Sequence, residues 1–154
     1  MDTNALPDMN MNAPETACCP KFDPKGWDGR HLSFHGQPIV RATTRSLVHD
    51  PINMGQVFTR VQGHIEDAGA QDPDDIFVLS RDQSATEGEH FFRVIGDVPG
   101  EDVIRLSGDF ITRVFEGSNR QANNRVHEME TAAEEKQPCR LICLNWFGGA
   151  RSRN

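Results

Sequence analysis

Residues 46–67, SLVHDPINMGQVFTRVQGHIED, contain the pattern that decides the fold. From Asn53 onward the apolar residues recur at helical spacing and share one helix face: Met54, Phe58, Val61 and Ile65. This spacing predicts an amphipathic helix with Asp50 or Asn53 as its cap and Gly69 at its end. The apolar face must be buried, so we expect the helix to pack against a sheet.

The segments around this helix are predicted to be strands. Upstream, residues 32–34 alternate between apolar and polar, residues 35–38 (HGQP) favour a turn, and residues 39–48 are extended, which indicates a hairpin. Downstream, residues 75–80 indicate a buried strand and residues 81–89 a polar loop. The remaining elements are predicted as strands at 90–98, 103–106 and 110–116, turns at 99–100 and 107–108, a helix at 120–136 and a last strand at 139–146.

The two predicted helices match one another, which indicates an internal repeat. Their apolar positions correspond throughout: Met54 with Ala122, Phe58 with Val126, Val61 with Met129 and Ile65 with Ala133. The ends of the strands before these helices match at an offset that is one residue shorter, so Val48 corresponds to Phe115 and His49 to Glu116. We therefore predict an α+β fold of two tandem strand-strand-helix-strand (SHS2-type) halves. They form an antiparallel sheet with two helices on one face and a groove along the pseudo-twofold axis.

These elements predict one domain at residues 17–147. A chain of 154 residues can bury enough surface to fold without disulfides. Its parts are an N-terminal strap at 17–30, a first half at 31–82 and a second half at 89–147. Residues 1–16 lack periodicity and are predicted to be a disordered leader. Residues 148–154 are predicted to be a flexible tail.

The composition argues against nucleic acid and membrane partners. The formal net charge is −7, and the sequence has no run of Lys or Arg long enough to neutralise a phosphate backbone. The N-terminal stretch lacks the positive charge and apolar core of a signal peptide. No apolar run approaches the roughly 20 residues that cross a bilayer. We expect a soluble protein in the cytoplasm.

Four cysteines, Cys18, Cys19, Cys139 and Cys143, raise the question of a metal site. If Cys139 and Cys143 lie in one strand, they are about 13 Å apart at ~3.3 Å per residue, too far for one ion. The adjacent Cys18 and Cys19 lack the spacer that zinc ligands usually have. Cys18 or Cys19 could instead be a nucleophile, but the sequence shows no thiolate-stabilising base nearby, so buried apolar side chains are the favoured interpretation. We predict no metal and no other cofactor.

Residues 98–129, VPGEDVIRLSGDFITRVFEGSNRQANNRVHEM, combine a proline-glycine turn, a strand pair, a glycine and a helix. This stretch resembles the gyrase-inhibitor-like (GyrI-like) small-molecule-binding family, and residues 46–61 are a weaker copy of it. The strap CCPKFDPKGWDG at 18–29 is similar to a bacterial stand-alone subgroup of that family, commonly labelled hydrolase. The chain departs from this subgroup in having no tyrosine, no glycine-proline-tyrosine after Phe115-Glu116, and no CPxC pair at its end.

Two polar residues are candidates for chemistry in the predicted groove. Glu116 ends a predicted strand just before the second predicted helix. A carboxylate there could hold a cationic ligand or act as a general base. It could also only interact with the dipole of that helix. His49 is its counterpart in the first half, and is equally consistent with a surface or capping role. Aromatic and apolar side chains that could line a ligand pocket, or simply belong to the core, are Trp27, Phe34, Met54, Phe110 and Trp146.

Three functions remain open from the sequence. The first is binding of a small aromatic or cationic molecule in the groove, without catalysis. The second is hydrolysis of a small electrophilic compound by Glu116 and His49. The third is a protein-interaction module with a protein partner. The fold alone does not decide among them.

Overall fold

The computed structural model of the chain describes residues 3–8, 24–73, 77–115 and 122–134. Its elements, in chain order, are α1 (Pro24–Trp27), β1 (His31–Leu47), β2 (Asp50–Pro51), α2 (Met54–Asp67), β3 (Val78–Ser84), β4 (Glu87–Arg93), β5 (Asp102–Ile111) and α3 (Ala122–Glu134). The predictions of an α+β fold and an antiparallel sheet are confirmed, because the described strands form one five-stranded sheet with antiparallel pairings.

β1 is the central strand of this sheet. It pairs with β4 along Ile39–Arg45 and with β5 along His31–Arg41, while β3 pairs with the far side of β4. β2 pairs only with the last two residues of β1, where Ser46 lies opposite Pro51 and Leu47 opposite Asp50. The end of β1 therefore lies beside β4 and β2, and α2 follows directly.

The hairpin predicted at residues 35–38 is wrong, because β1 runs through this segment without reversing. The register to β5 shifts between Phe34 and Gln37, and Gly36 has a φ of 60°. The amide of Gly36 donates to Ser107 Oγ at 2.8 Å, which ties the irregularity to β5. Glycine suits a bulge as well as a turn, and here the pairing of β1 with β5 on both sides of Gly36 favours the bulge.

Two further boundaries differ from the sequence predictions for the same reason. Ser107 and Gly108 do not form a turn, because β5 pairs with β1 on both sides of them. The predicted polar loop at 81–89 is instead a hairpin, in which β3 extends to Ser84 and β4 begins at Glu87. Nearly all residues of this segment are polar, and cross-strand pairing outweighs their low strand propensity.

α2 covers one face of the sheet and begins at Met54, as the sequence predicts. Val57, Val61 and Ile65 are its buried residues, and Phe58 packs at the margin of the same core. The sheet contributes the other side of this core: Val40, Ala42, Phe92 and Val94. Full burial of one such Val or Ile side chain is worth roughly 1.5–3 kcal/mol. This packing fixes where the first turn of α2 lies on the sheet.

The turn after β4 is held against α2 by a buried carboxylate. Only 4% of the Glu101 side chain is exposed, and its Oε1 lies 2.7 Å from His64 Nδ1 and accepts from Arg60 Nε at 3.1 Å. The ring of His64 packs on Gly100, whose φ of 84° suits glycine. The turn predicted at residues 99–100 is confirmed, and its ion pairs clamp the end of α2 to the sheet.

The opposite face of the sheet is covered by α1 and the N-terminal segment. Trp27, Leu32, Phe34 and Phe77 form a second buried cluster, with Leu6 and Phe110 packed against it. Asn4 is bonded to β1, because its amide donates to Ser33 O at 2.8 Å and its side chain pairs with both backbone groups of His35. No local pattern in the sequence indicates these contacts of residues 3–8.

α3 begins at Ala122, the position that matches Met54 in the predicted repeat. The last predicted strand, at 139–146, lies outside the described residues, as do all four cysteines. In the part of the chain that the structure describes, no helix is long and apolar enough to cross a membrane. The division of the chain into leader, strap and halves remains a prediction.

Candidate functional site

The end of β1, the turn between β3 and β4 and the start of α2 meet at one place, which we call the corner. Val48 and His49 connect β1 to β2, and both have positive φ angles, 49° and 68°. Two such residues between paired strands are typical of a type I′ turn. The amide of His49 donates to Ala85 O at 3.1 Å, so the turn that carries His49 is attached to the turn between β3 and β4.

His49 contacts a carboxylate at the corner. Its Nδ1 lies 2.5 Å from Asp82 Oδ2, and the two side chains are 47% and 44% exposed. A carboxylate at Nδ1 favours the tautomer with hydrogen on that nitrogen, which leaves Nε2 as a proton acceptor. Among the described residues Nε2 has no hydrogen-bond partner. This pair has the geometry of a histidine base and the group that orients it.

A second set of polar side chains lies on the α2 face of the sheet beside this pair. Gly88 of β4 is opposite Thr44 of β1 and opposite Asp82 of β3. Two residues further along β4, His90 is opposite Ser80 of β3. Because residues i and i+2 of a strand share a face, Thr44, Ser80, Asp82 and His90 surround Gly88 on the same face.

His90 is buried between two hydroxyl groups. Its Nε2 lies 2.9 Å from Thr44 Oγ1, and its Nδ1 lies 2.8 Å from Ser80 Oγ. The edge of Phe58 from α2 covers the ring, with the ring centres 4.9 Å apart. Only 3% of His90 is exposed, and this burial lowers the pKa of His90 below its usual 6.5. The ring is therefore neutral at pH 7, with one nitrogen as donor and the other as acceptor.

The Thr44 hydroxyl packs directly against the backbone of Gly88. A Cβ built on Gly88 would lie 2.9 Å from Thr44 Oγ1, 3.6 Å from His90 Nε2 and 3.8 Å from Arg81 O. A Cβ does not fit at 2.9 Å from a hydroxyl oxygen, so a side chain at this position would displace Thr44. The glycine is thus required by the close approach of Thr44.

An open cleft of about 450 Å³ adjoins the corner. The residues that line it are all polar or charged: Thr43, Thr44, Arg45, Asn53, Thr86 and Glu87. Asn53 is the first residue before α2, and its Oδ1 accepts from the amide of Arg45 at 2.7 Å instead of capping the helix. This bond fixes the start of α2 beside the end of β1. The cleft has room for a small molecule and offers hydrogen-bonding groups of both kinds.

Of the residues that the sequence singled out, His49 is at the corner. Met54 is half-buried in the first turn of α2, next to Asn53. Trp27, Phe34 and Phe110 lie together on the other side of the sheet, where the Phe34 and Phe110 ring centres are 5.6 Å apart. Trp27 and Phe34 are each 4% exposed and pack as core residues. Glu116 and Trp146 lie outside the described residues.

Sequence reasoning missed Thr44, Ser80, Asp82 and His90. Residues 80–82 (SRD) and 88–90 (GEH) contain no apolar side chain, so the local pattern has no apolar–polar alternation that would indicate paired strands. For this reason residues 81–89 were predicted to be a loop. Among the described residues, no group of three or more His, Cys, Asp or Glu side chains is arranged to hold a metal ion.

Fold and corner together define an α+β protein with a histidine–carboxylate pair at a corner that a polar cleft adjoins, although neither His49 nor Asp82 lines that cleft. A family model described as "Bacterial hydrolase" matches residues 9–147, which is most of the chain. The chain therefore belongs to this bacterial hydrolase family. Searches of curated proteins and of solved structures gave no match.

Proposed function

We propose that the protein hydrolyses a small electrophilic organic compound that binds at the corner, with His49 as the general base. The observation that carries this proposal is the contact of His49 Nδ1 with Asp82 Oδ2, beside a cleft large enough for a small molecule. The name of the family agrees with this class of reaction.

The chemistry assigned to His49 follows from its two nitrogens. With hydrogen on Nδ1 donated to Asp82, Nε2 can take a proton from a water molecule as the water attacks the substrate. The positive charge that then develops on the imidazole is stabilised by the Asp82 carboxylate. Both side chains are about half exposed, so water and a substrate can reach them.

The relation to gyrase-inhibitor-like proteins and the tandem halves with a groove between them are part of the same proposal. The starts of α2 and α3, at Met54 and Ala122, are spaced as the repeat requires, which supports it. Under this arrangement Glu116 belongs to the second corner, as His49 belongs to the first. We keep Glu116 as a second catalytic candidate and the aromatic residues around Trp27 as candidates for ligand contact.

The second candidate function is binding of a small molecule without turnover. The observation that favours it is the lining of the cleft, where Arg45 and Glu87 face one another across β1 and β4 without forming an ion pair. Neither side chain forms an ion pair within the part of the chain that the structure describes, so both charges can contact a polar ligand. A protein of this kind would bind or sequester its ligand and return it chemically unchanged.

One experiment separates the two candidates. Purified protein is screened by thermal shift against aromatic, cationic and electrophilic small molecules, and each hit is recovered and weighed by mass spectrometry. Ligand at 100 times its Kd adds about 2.7 kcal/mol of stability, which is readily detected. Recovery of hits with water added supports hydrolysis, and recovery of unchanged hits supports binding alone.

Variants then assign the reaction to the corner. For a compound that is turned over, we expect His49→Gln to lower kcat by about 10²–10⁴-fold, with a similar direction for Asp82→Asn. His35→Gln is the matched control, because His35 is an exposed histidine of β1 that lies away from the corner. Equal turnover by His49→Gln and wild type would reject His49 as the base, and Glu116→Gln would then be tested in the same assay.

A further inference from the structure

Large apolar side chains are exposed together on the hairpin that β1 and β2 form. Four such side chains are exposed in the described part of the chain, and three of them lie between residues 47 and 52. They are Leu47, Val48 and Ile52, with exposed fractions of 68%, 78% and 66%. Val48 also has a positive φ that valine rarely adopts, so neither burial nor backbone preference accounts for an apolar residue there. A group of exposed apolar side chains typically marks an interaction surface.

Two opposite charges lie beside these apolar side chains on one face of the sheet. Arg45 is directly opposite Glu87 in the pairing of β1 with β4, so both side chains are on the same face. Leu47 shares this face because it is two residues from Arg45 in β1. The amide of Ile52 donates to Arg45 O at 2.9 Å, which continues the register of β1 and β2 and places Ile52 on the other side of Arg45. We call these four residues and Val48 the hairpin surface.

The hairpin surface is on the face of the sheet that α2 does not cover. Thr44 is buried on the α2 face, so its neighbour Arg45 is on the opposite face. On that opposite face, the cluster of Trp27 and Phe34 lies at the start of β1, whereas the hairpin surface lies at its end. Arg45 and Glu87 are exposed, and neither forms an ion pair with another described residue. Both the charges and the apolar side chains therefore face solvent in a single copy of the chain.

We infer that the hairpin surface is the interface of a homodimer, in which a second copy of this chain packs on it about a twofold axis. A twofold interface brings the same surface of both copies together, so this surface must be complementary to itself. The hairpin surface meets this condition because a positive and a negative charge lie side by side. Rotation about an axis between them places Arg45 on Glu87 of the partner subunit, and the reciprocal pair forms at the same time. The exposed apolar side chains of both copies are then removed from water.

The mixture of charges favours an identical copy as the partner. A surface of one sign would select a partner of the opposite sign, whereas adjacent charges of both signs are complementary to the same surface rotated by a half turn. The dimer does not depend on the proposed hydrolysis, because Asp82, the partner of His49, is on the α2 face with Thr44. It does compete with the second candidate function, since a partner subunit takes up the two charges that a ligand would otherwise contact.

Sedimentation velocity of the purified full chain tests this dimer. We expect wild type to change from monomer to dimer between about 1 and 200 μM, the range of a dimer of moderate affinity. Arg45→Glu places like charges at both contacts, and so does Glu87→Arg, so each variant alone should have its Kd raised by about 100-fold or more. Arg113→Glu is the matched control, because it makes the same change of charge at an exposed residue after β5, near the other end of β1.

An equimolar mixture of the two interface variants gives the sharpest result. In a mixed dimer, one protomer carries two negative charges at these positions and the other carries two positive charges, so both contacts are attractive. We expect the mixture to dimerise about as tightly as wild type, which also shows that both variants are folded. The double variant Leu47→Ser/Ile52→Ser should weaken the dimer by about tenfold or more, whereas Ile95→Ser, at the exposed apolar residue away from the hairpin, should not.

Each other outcome would overturn the inference. Wild type that stays monomeric throughout this range has no dimer, and a dimer that persists in both single variants lies on another surface. Two monomeric variants whose mixture stays monomeric would show that Arg45 and Glu87 do not meet across a twofold axis. A monomeric wild type with a ligand that no longer stabilises Arg45→Glu would assign the two charges to the second candidate function. Turnover by His49→Gln is measured separately, so failure of the dimer leaves the proposed hydrolysis intact.

Discussion

The two histidines of the corner have opposite surroundings. His49 is half exposed and contacts a carboxylate, whereas His90 is buried and contacts two hydroxyls. Such a difference separates the roles that two chemically identical side chains can take. His49 can accept a proton and carry a positive charge beside Asp82. Burial disfavours the charged form of His90, which suits it to hold hydrogen bonds and not to exchange protons.

The buried state of His90 predicts a loss of stability in acid. Its pKa in the folded protein is below 6.5, whereas the unfolded chain has the ordinary value, so the unfolded state takes up this proton first as the pH falls. Well above pH 6.5 both states are neutral and this histidine has no effect on the pH dependence. Below it, the free energy of unfolding falls until the folded pKa is reached.

Urea unfolding from about pH 8 to about pH 5 measures this effect, when wild type is compared with His90→Gln. We expect the wild type to lose more stability than the variant across the lower half of this range. His35→Gln serves as the control and should keep the wild-type slope. A His90→Gln curve parallel to wild type would mean that the pKa of His90 is the same in the folded and unfolded states.

The sequence identified one of these two histidines and missed the other for a physical reason. His49 was selected because it ends a predicted strand just before a helix, a position that local pattern can indicate. The importance of His90 depends on Thr44 and Ser80, which reach it only through the pairing of three strands. Register between distant strands is not contained in the local pattern, so contacts across a sheet cannot be predicted from it.

At the scale of elements, the turn between β1 and β2 is strained. Val48 has a φ of 49° although valine is branched at Cβ and rarely adopts this conformation. Its side chain is 78% exposed, so burial does not compensate. Such backbone strain costs on the order of 1–3 kcal/mol and is often found at functional sites. Here the strained turn is the segment that places His49 next to Ala85 and Asp82.

We therefore expect Val48→Asn to raise the free energy of unfolding by about 1 kcal/mol, because asparagine tolerates positive φ. Val48→Thr is the matched control: it keeps the branching at Cβ, so its change should stay within about 0.5 kcal/mol. Chemical denaturation of the three proteins gives the comparison. Lower stability in Val48→Asn than in Val48→Thr would show that the turn is not strained.

The elements that were predicted correctly are those whose signals are local. The bounds of α2 follow from its apolar spacing, Asn53 and Gly69, all within one segment. The bulge at Gly36 was mistaken for a turn because the same residues favour both structures, and only pairing with β5 decides between them. The continuation of β5 through Gly108 depends on the same pairing. Local chemistry predicted where the chain is irregular, and tertiary contacts determined the kind of irregularity.

For the molecule as a whole, the sheet has a different cover on each face. α2 covers the face that holds His90, and α1 with residues 3–8 covers the face that holds Phe34. The N-terminal cover is attached by polar contacts as well as by Leu6, since Arg93 donates to Asn4 O at 2.9 Å. Because the corner lies on the α2 side, the two covers should contribute separately to stability and to activity.

Deletion of residues 1–8 tests this separation. Without Leu6 the cluster around Trp27 becomes accessible to water. In a Trp146→Phe background, where Trp27 is the one remaining tryptophan, we therefore expect its emission to shift to longer wavelength.

Each hydrogen bond of Asn4 that the deletion removes should lower the free energy of unfolding by about 1 kcal/mol. Asn4→Ala, which removes only the side-chain bonds to His35, should lie between the wild type and the deletion variant in stability.

Turnover at the corner should stay within about twofold of wild type in the deletion variant, since neither His49 nor Thr44 contacts this segment in the described part of the chain. An emission maximum that does not move would mean that Leu6 adds nothing to the burial of Trp27, whereas a parallel loss of turnover would mean that the two faces of the sheet are coupled through β1.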